Sequence, residues 1–493
     1  MTPPSHDSTA AERLGVGGLA LRRSARAPLA LSRPHLGVGA LVLACGVLAG
    51  LSLLWPSTPT YDPWAWLIWG REVVSGHLST VNGPSWKPLP VAFTAVFSLL
   101  GGAAPALWLV VARTGGLMAL VMTFRVARRL GGMAAGASAL LALALVNFFL
   151  RSSALGDSEG LLVALVLGAV ELHLVGRRRD ALLAGFAGAL LRPEVWPFLG
   201  LYGLWLTWRE PDRRPLLLGL GVALPALWFG PELWGSGDAL RASARAKQAV
   251  PGLPGHAAHP IQALLHTAWP IIIAPVRAAA PVALVSALFG RRTRSEDRTV
   301  LLLGAGTVLW LAVVAAMTQA GYSGNLRYLL APAALVCVLG GVGVGRLLAL
   351  AARGRGLVRM VRVAVVAGAL CAATVLAALA PGNQLWLDLG PVRAEAKLNS
   401  FLPAAIATAG GREAVLRCGT PVIGALQVTP LAWHLHAHID DVDYLPHLHD
   451  VVFLPQDEHS HDPGYPPATV YRPFTYKEAG TAGAWRVLTR CAS

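Results

Sequence analysis

Long apolar runs separated by short polar breaks dominate this sequence and restrict what it can fold into. The runs lack the alternation of a β-strand, and many approach the ~20 residues that a helix needs to cross the hydrocarbon core of a bilayer. Hydrophobic residues make up 55% of the 493 residues and charged residues only 14%. A soluble protein of this size does not need so much apolar surface, so the pattern predicts an all-α polytopic membrane protein.

The apolar runs predict about eleven transmembrane helices. They lie at residues 36–56, 103–124, 133–150, 160–176, 181–191, 195–208, 215–233, 262–289, 299–319, 327–349 and 362–380. The fifth and sixth runs are too short for two ordinary crossings, so we interpret them as a broken or tilted hairpin that neighbouring helices shield from lipid.

Arginines gather in the polar breaks between these runs. The clusters lie at residues 125–129, 177–179, 209–214, 291–298 and 353–362. The net charge of +15 could indicate nucleic acid, but the preference of cytoplasmic loops for basic residues explains this distribution better. We therefore predict a multi-pass protein of the plasma (inner) membrane with a cytoplasmic N-terminus, an extracytoplasmic C-terminus and no nucleic-acid partner.

This topology divides the chain into three parts. Residues 1–35 form a disordered cytoplasmic arm, residues 36–380 form the transmembrane domain, and residues 381–493 form a small extracytoplasmic α/β domain. Cys418 and Cys491 are the two cysteines of this last part, and they can form a disulfide if it faces an oxidising compartment.

The charges that remain after the arginine clusters are assigned inside gather at the outer ends of the predicted spans. The site candidates among them are Asp62, Glu72 and Lys87 in the first outer loop, Asp157 and Glu159 in "LGDSEG", Arg192 and Glu194 in "LLRPEVWP" at the hairpin tip, and Arg327 in "SGNLRYLLAP". A longer outer loop also carries Glu232, Asp238, Arg241, Arg245, Lys247, His256 and His259. Burying a charge near a membrane costs free energy unless the charge is paired or hydrated, so the set indicates a functional site. The alternative is that each charge is interfacial decoration.

These residue types suit a phosphorylated, amphiphilic substrate at the outer leaflet. The carboxylates of Asp62, Asp157 and Glu159 can act as a general base or hold a divalent metal. The cations of Lys87, Arg192 and Arg327 suit a phosphate or pyrophosphate. A lipid tail on such a substrate could stay between the spans.

Four tryptophans, Trp64, Trp66, Trp69 and Trp86, lie in the same first outer loop. Their rings could stack on sugar faces. They also fit an aromatic belt at the membrane interface, which is the interpretation we favour.

These motifs resemble the GT-C superfold of integral membrane glycosyltransferases, which use polyprenyl-phosphate-linked sugars. The resemblance lies in the order of the motifs along the chain and in their predicted location on one side of the membrane. The resemblance covers about residues 36–380, and it lies in "YDPW", "LGDSEG", "LLRPE", "NLRYLLAP" and the trailing extracytoplasmic domain. It implies an enzyme that transfers a sugar from a polyprenyl-phosphate donor to a hydroxyl of a glycan or lipid acceptor, with inversion at the anomeric carbon.

The resemblance also implies roles for single residues. Asp62 matches the catalytic base, and Asp157 and Glu159 match acids that assist the site or bind metal. Arg192 or Arg327 would contact the lipid phosphate. Asp62 is followed by Pro63, which leaves Glu72 as the nearest second acid, and "DSE" is not a DxD motif. A divalent metal such as Mg²⁺ or Mn²⁺ therefore stays open as a cofactor.

Three histidines of the C-terminal domain, His434, His436 and His438, stand at alternating positions in "WHLHAH". On a strand they would share one face, a geometry that can ligate zinc. The sequence around them has no CxxC or HExxH pattern, so we favour polar strand and loop residues over a metal site.

Two other functions fit parts of the sequence. A lipid or sugar transporter or flippase also needs charges in the membrane region, but it commonly places them at the midplane within repeated halves. A non-catalytic scaffold of the cell envelope would leave the common sidedness of the acids and arginines unexplained. High Ala, Gly, Leu and Arg usage fits a high-GC bacterial source, so an actinobacterial envelope glycan such as an arabinan or mannan is one candidate product.

Overall fold

The computed structural model describes residues 35–146, 148–248, 252–289, 294–380, 389–445, 450–456 and 476–491. The predicted cytoplasmic arm lies outside the described residues except for His35, where the first helix begins. Residues Leu41–Ser493 belong to one compact unit.

Most of the described chain is helical. The first helices are α1 His35–Leu51, α2 Tyr61–Ser75, α3 Pro88–Ser98, α4 Ala104–Gly131, α5 Met133–Ala144, α6 Phe149–Ala154, α7 Glu159–Leu174 and α8 Arg178–Ala189. They are followed by α9 Trp196–Arg209, α10 Arg214–Ser236, α11 Arg241–Ala246, α12 Pro260–Ala268, α13 Ala274–Phe289, α14 Arg294–Gln319, α15 Leu330–Ala351 and α16 Gly356–Leu379. The C-terminal region contains α17 Leu389–Ser400, α18 Leu402–Thr408, α19 Arg412–Cys418, α20 Val428–Leu435, β1 Thr420–Val422, β2 Asp450–Pro455, β3 Lys477–Ala482 and β4 Trp485–Arg490.

Six helical segments of the described chain are long and apolar enough to cross a membrane. They are Gly37–Leu54, Gly101–Gly131, Pro211–Ser236, Ser295–Gln319, Leu326–Ala351 and Gly356–Leu379. Helices α12 and α13, bent by 100° at their break, make a seventh if they form one span. The chain is therefore a multi-pass membrane protein.

The predicted count of eleven crossings is not confirmed, although each of the eleven apolar runs contains a helix. Helices α5 and α8 have only 12 residues each. At 1.5 Å per residue such a helix is ~18 Å long, against a hydrocarbon core of about 30 Å. An apolar run in the sequence shows that a segment avoids water, but not that it crosses the whole bilayer.

Helix α15 is the most deeply buried of the long helices, and small residues let its neighbours approach its backbone. A Cβ added at Gly343 would lie 1.9 Å from the carbonyl oxygen of Ala279 in α13, and one added at Gly341 would lie 2.4 Å from that of Ala135 in α5. Such close backbone packing is typical of helices within membranes. It fixes the position of α15, and hence of Arg327 just before it.

The C-terminal region has the α/β architecture that the sequence predicted. Its four strands are in the order β1-β2-β4-β3, with β1 and β2 parallel and the other neighbours antiparallel. Cys418 and Cys491 form a disulfide that ties the end of α19 to the residue after β4. The cystine thus joins the helical part of this region to its sheet.

The four tryptophans of the first outer loop are core residues, so the predicted interfacial belt is wrong. Trp66 and Trp69 are fully buried, and Trp64 and Trp86 are 5% and 3% exposed. They share one hydrophobic cluster with C-terminal residues such as Leu431. The sequence showed an aromatic segment beside a membrane span, but not that α2 lies between the transmembrane helices and the C-terminal region.

The three alternating histidines do not lie on a strand, so they do not share one face in the way that a zinc site would require. His434 lies in the last turn of α20, and His436 follows that helix with a φ of 53°. His434 packs its ring against Trp64 at a centroid distance of 5.9 Å. Within the described ranges, no group of three or more His, Cys, Asp or Glu side chains is arranged to hold a metal ion.

Candidate active site

Helix α2 presents Asp62 in its first turn, where a carboxylate is stabilised by the helix dipole. Two hydrogen bonds hold the backbone on either side of this turn. The amide of Thr60 donates to the carbonyl of Leu155 (2.9 Å), and the hydroxyl of Thr429 donates to the carbonyl of Tyr61 (3.0 Å). The position of Asp62 therefore depends on both the transmembrane helices and the C-terminal region.

The "LGDSEG" turn between α6 and α7 presents two further acids. Gly156 has a φ of 85°, a conformation that favours glycine, and its carbonyl accepts a hydrogen bond from Trp108 Nε1 (2.9 Å). After this turn, Asp157 Oδ2 accepts a hydrogen bond from Ser152 Oγ (2.8 Å). Glu159 is the first residue of α7. The glycine thus allows the chain to reverse at this turn, and both carboxylates that follow it are buried.

Arg327 joins the acids of the two loops. Its Nη1 atom donates to Asp62 Oδ2 (2.8 Å) and to Asp157 Oδ1 (3.2 Å). Its backbone amide donates to Asn325 Oδ1 (3.0 Å) in the short helical turn that leads into α15. We call Arg327, Asp62 and Asp157 the Arg327 cluster.

A second group, the Lys87 cluster, consists of Lys87, Ser158, Glu159, Arg192 and Glu194. Arg192 Nη2 donates to Glu159 Oε1, and Arg192 Nη1 lies 3.9 Å from Glu194 Oε1. Lys87 Nζ donates to Ser158 Oγ (3.0 Å) and lies 3.7 Å from Glu159 Oε1. All five residues are buried. So many buried charges are tolerated because each cation has an acid beside it.

Aromatic rings link the two clusters. Lys87 Nζ lies 4.7 Å from the ring centre of Trp66, and Arg192 Cζ lies 4.7 Å from that of Tyr328, the neighbour of Arg327. Both distances allow cation–π attraction. The rings limit the movement of the two cations and place the Lys87 cluster directly beside the Arg327 cluster.

The surroundings shift the pKa values of two loop residues towards neutrality. Burial, helped by the positive charge of Arg192 and opposed by Glu159, lowers the pKa of Lys87 to about 8. Burial raises the pKa of Asp157 to about 6, although Arg327 acts in the opposite direction. Groups that titrate near neutral pH are typical of catalytic sites.

The two clusters differ in their access to solvent. The side chains of Asp62 and Arg327 are 13% and 26% exposed, whereas that of Glu159 is fully buried. In the buried part, Glu159 Oε2, Glu194 Oε2 and Arg192 Nε have no hydrogen-bond partner within the described chain. Because an unsatisfied buried polar atom is costly, these atoms are suited to bind hydroxyl or phosphate groups of a ligand.

The structure brings seven of the eight predicted ionisable site residues together and places Glu72 elsewhere. Glu72 lies ten residues after Asp62 in α2, about 15 Å along the helix. Its Oε1 atom contacts His438 Nδ1 (2.7 Å), and its Oε2 atom accepts a hydrogen bond from the amide of Ser79 (3.0 Å). Burial raises the pKa of Glu72. The observed contacts of Glu72 attach α2 to the C-terminal region.

Two serines of the site were missed in the sequence. Ser152 binds Asp157, and Ser158 binds Lys87. Ser158 could have been found, because it stands between the two acids of "LGDSEG". Ser152 lies in α6, a short helix that no sequence motif marked.

The acids of the site do not fit a divalent metal as they are arranged here. Oδ2 of Asp62 and Oδ1 of Asp157 accept hydrogen bonds from one arginine nitrogen, and the second oxygen of Asp157 is bound by Ser152. Glu159 faces Arg192 and Lys87. A cationic side chain thus already lies against one oxygen of each of these three carboxylates.

The architecture is similar to that of solved membrane proteins. ArnT from Cupriavidus metallidurans bound to undecaprenyl phosphate is 14% identical and aligns over 93% of this chain and 99% of its own, with a TM-score of 0.52. Its apo state is also 14% identical and aligns over 92% and 98%, with a TM-score of 0.53. An Archaeoglobus fulgidus oligosaccharyltransferase tethered with an acceptor peptide is 13% identical over 83% of this chain and 64% of its own, with a TM-score of 0.45.

No family model matches the sequence, and no curated protein matches it either. The two ArnT structures span almost the whole chain and identify its fold as GT-C, which the resemblance of the sequence motifs had implied.

Proposed function

We propose that this protein is a membrane glycosyltransferase that moves a sugar from a polyprenyl-phosphate donor to an acceptor hydroxyl. The observation that carries the proposal is the pair of adjoining clusters, in which Asp62 and Arg327 are partly exposed while Lys87 and Arg192 are buried. The fold supports it, because ArnT binds undecaprenyl phosphate on the same architecture. The donor would be a polyprenyl-phosphate-linked sugar and the acceptor a glycan or lipid.

In the proposed reaction, an acceptor oxygen attacks the anomeric carbon of the donor. Asp62 takes the hydroxyl proton as the new C–O bond forms. The bond from the anomeric carbon to the phosphate oxygen breaks, and polyprenyl phosphate leaves with the electron pair. A single displacement of this kind inverts the anomeric carbon.

Within this scheme Lys87 and Arg192 face the phosphate of the donor. Fixed cations in a partly dry site stabilise the charge that grows on the leaving phosphate. The unpaired oxygens of Glu159 and Glu194 would accept hydrogen bonds from sugar hydroxyls. Asp157, which shares Arg327 with Asp62, supports the base.

The disulfide supports an extracytoplasmic C-terminal region, because disulfides persist in oxidising compartments. Since Thr429 of that region contacts the start of α2, the site lies on the same side of the membrane. The acceptor would therefore be met outside the cytoplasm, as in the synthesis of a cell-envelope glycan or glycolipid.

The proposal is tested with purified protein in liposomes, supplied with polyprenyl-phosphate sugars and candidate glycan acceptors. We expect a glycosidic product together with an equal amount of free polyprenyl phosphate. Movement of donor across the liposome membrane without any product would overturn the proposal in favour of a transporter or flippase. Acceptor binding with neither product nor flux would favour a scaffold.

The pKa of Lys87 gives the proposed donor site a pH dependence. Because Lys87 loses its proton as the pH rises through about 8, the KM for the donor should increase above that pH. A hydrogen bond to a charged group is worth about 1.5–3 kcal/mol, so the loss should raise KM about tenfold or more. Initial rates at several donor concentrations on both sides of pH 8 measure this effect.

Lys87→Met is the control for this pH dependence. It should have a high donor KM that no longer changes near pH 8, and its melting temperature shows whether it stays folded. A wild-type KM that is constant across the same range would remove Lys87 from the phosphate site.

A further inference from the structure

Arg327 occupies the place between two carboxylates that divalent metals often take in phosphate-binding sites. A single atom, Nη1, contacts Asp62 Oδ2 at 2.8 Å and Asp157 Oδ1 at 3.2 Å. The two acids come from different loops, so this nitrogen links their side chains directly, in addition to the backbone hydrogen bond from Thr60 to Leu155.

A metal in this kind of site has two tasks. Mg²⁺ is usually held by one or two carboxylates and binds substrate phosphates with its remaining positions. Arg327 has the groups for both tasks, because a guanidinium carries five N–H donors in a rigid fork. Nη1 donates to both acids, and the side chain as a whole is 26% exposed, so we expect its remaining N–H groups to be available to a phosphate.

The charges around this position require a cation between Asp62 and Asp157. The two clusters contain four carboxylates, namely Asp62, Asp157, Glu159 and Glu194, and three basic side chains, namely Lys87, Arg192 and Arg327. Without Arg327, two carboxylates would lie close together with no cation between them. Like charges at this distance repel each other unless one is protonated or a cation separates them.

We infer that Arg327 replaces a divalent metal in this site: it fixes Asp62 relative to Asp157 and offers its remaining N–H groups to the donor phosphate, so that transfer needs no metal ion. The inference rests on the proposed glycosyl transfer. It makes Arg327 a positioning residue for the proposed base Asp62. Its role differs from that of Lys87 and Arg192, which pair with Glu159 rather than with Asp62 or Asp157.

The first test uses the wild-type protein in liposomes. Treatment with EDTA, followed by passage over a desalting column, should leave the transfer rate unchanged, and added Mg²⁺ or Mn²⁺ should not raise it. Loss of transfer after EDTA treatment, with recovery on addition of either metal, would overturn the inference.

The second test uses the binding of Mn²⁺ and does not depend on activity. Arg327→Ala removes the guanidinium and leaves two adjacent carboxylates, so this variant should bind Mn²⁺ that the wild type does not bind. Binding is measured from the loss of the electron paramagnetic resonance signal of free Mn²⁺ on titration with protein in detergent. A second change, Asp157→Asn, should remove the gained site.

Arg486→Ala is the matched control, because Arg486 pairs with the single carboxylate of Glu478 on the exposed sheet. It should bind no more Mn²⁺ than the wild type. Arg327→Ala should also lower kcat by about 10²–10³-fold, the usual cost of removing one electrostatic donor from a catalytic site, and Mn²⁺ should restore part of the rate.

The outcomes separate this inference from the proposed function. A monodisperse Arg327→Ala protein that binds no Mn²⁺ would overturn the inference even if the wild type transfers sugar. Gain of a Mn²⁺ site that depends on Asp157 would support it even if none of the tested sugars is a donor. In that case the liposome transfer assay would contradict the proposed function, while the Mn²⁺ titration would still support the role of Arg327.

Discussion

Replacing Asp62 by asparagine should lower kcat for sugar transfer by about 10²–10⁴-fold, the range that a general base contributes. The asparagine has nearly the same shape, and its carbonyl oxygen can still accept the hydrogen bond that Arg327 donates to Asp62. It cannot accept the proton of the acceptor hydroxyl. The donor KM should therefore change little, because Lys87 and Arg192 are untouched. Initial rates at saturating donor, followed through the release of polyprenyl phosphate, measure the effect.

Glu72→Gln is the matched control, because it changes the other acid of α2 to an amide in the same way. Glu72 contacts Ser79 and His438 rather than the two clusters, and glutamine can still accept the hydrogen bond from Ser79. Its kcat should stay close to that of the wild type. If Asp62→Asn transferred sugar at the wild-type rate, the base would have to be another group, with Asp157 the first to examine.

Arg245→Met should be among the most destabilising single substitutions of this chain and lower the free energy of unfolding by about 3–5 kcal/mol. The reason is that it removes the cation of a buried ion pair and leaves the carboxylate. Arg245 Nη2 donates to Glu232 Oε1 at 2.7 Å, and the two side chains are 4% and 1% exposed. The guanidinium also donates to the backbone carbonyls of Thr80 and Pro84. Methionine would leave the Glu232 carboxylate buried without its cation.

Thermal unfolding in detergent, followed by size-exclusion chromatography after heating, measures this loss. Arg486→Met breaks an exposed pair with Glu478 and should cost only about 0.2–1 kcal/mol. Adding Glu232→Gln to Arg245→Met should recover part of the stability, since the buried charge is then removed as well. Equal stability of Arg245→Met and the wild type would show that the pair does not hold the loop before α3 against α10.

The helical architecture could be predicted from the sequence because apolar runs directly reflect burial in lipid or protein. Each predicted run contains a helix, but short helices such as α5 do not reveal whether they cross the bilayer. That depends on their tilt and on which neighbours cover them, which are tertiary properties. Local composition carries no information on either.

The members of the site could be predicted better than their pairing. Common sidedness brought Asp62, Asp157 and Arg327 into one candidate site, and the structure joins them. The sequence could not show that one nitrogen of Arg327 bridges both acids. In the chain, Arg327 follows Asp62 by 265 positions and Asp157 by 170 positions. Nor could the sequence separate Glu72 from the site, since its partner His438 comes from the C-terminal region.

The burial of the four tryptophans could not be predicted from the sequence either. An aromatic segment after a membrane span has the composition of an interfacial belt, and only the tertiary fold shows that a second layer covers it. Trp64 contacts both Trp433 and His434 of α20, and Trp66 packs edge-on against Trp108 of α4. The rings are therefore covered from both sides by parts of the chain far away in sequence.

The position of α2 between these two layers has a consequence for exchanging parts between GT-C proteins. On one face of α2, Gly70 packs against the backbone of α3, where an added Cβ would lie 2.5 Å from the carbonyl carbon of Thr94. Its other face is bound by Thr429 and, through Arg71, by the carbonyls of Trp433 and Ala437. A chimera that takes its C-terminal region from another protein must therefore keep α2 matched to that region on one face and to α3 on the other. The unit of exchange is α2 together with α3 and the C-terminal region, and the proposed base Asp62 belongs to it.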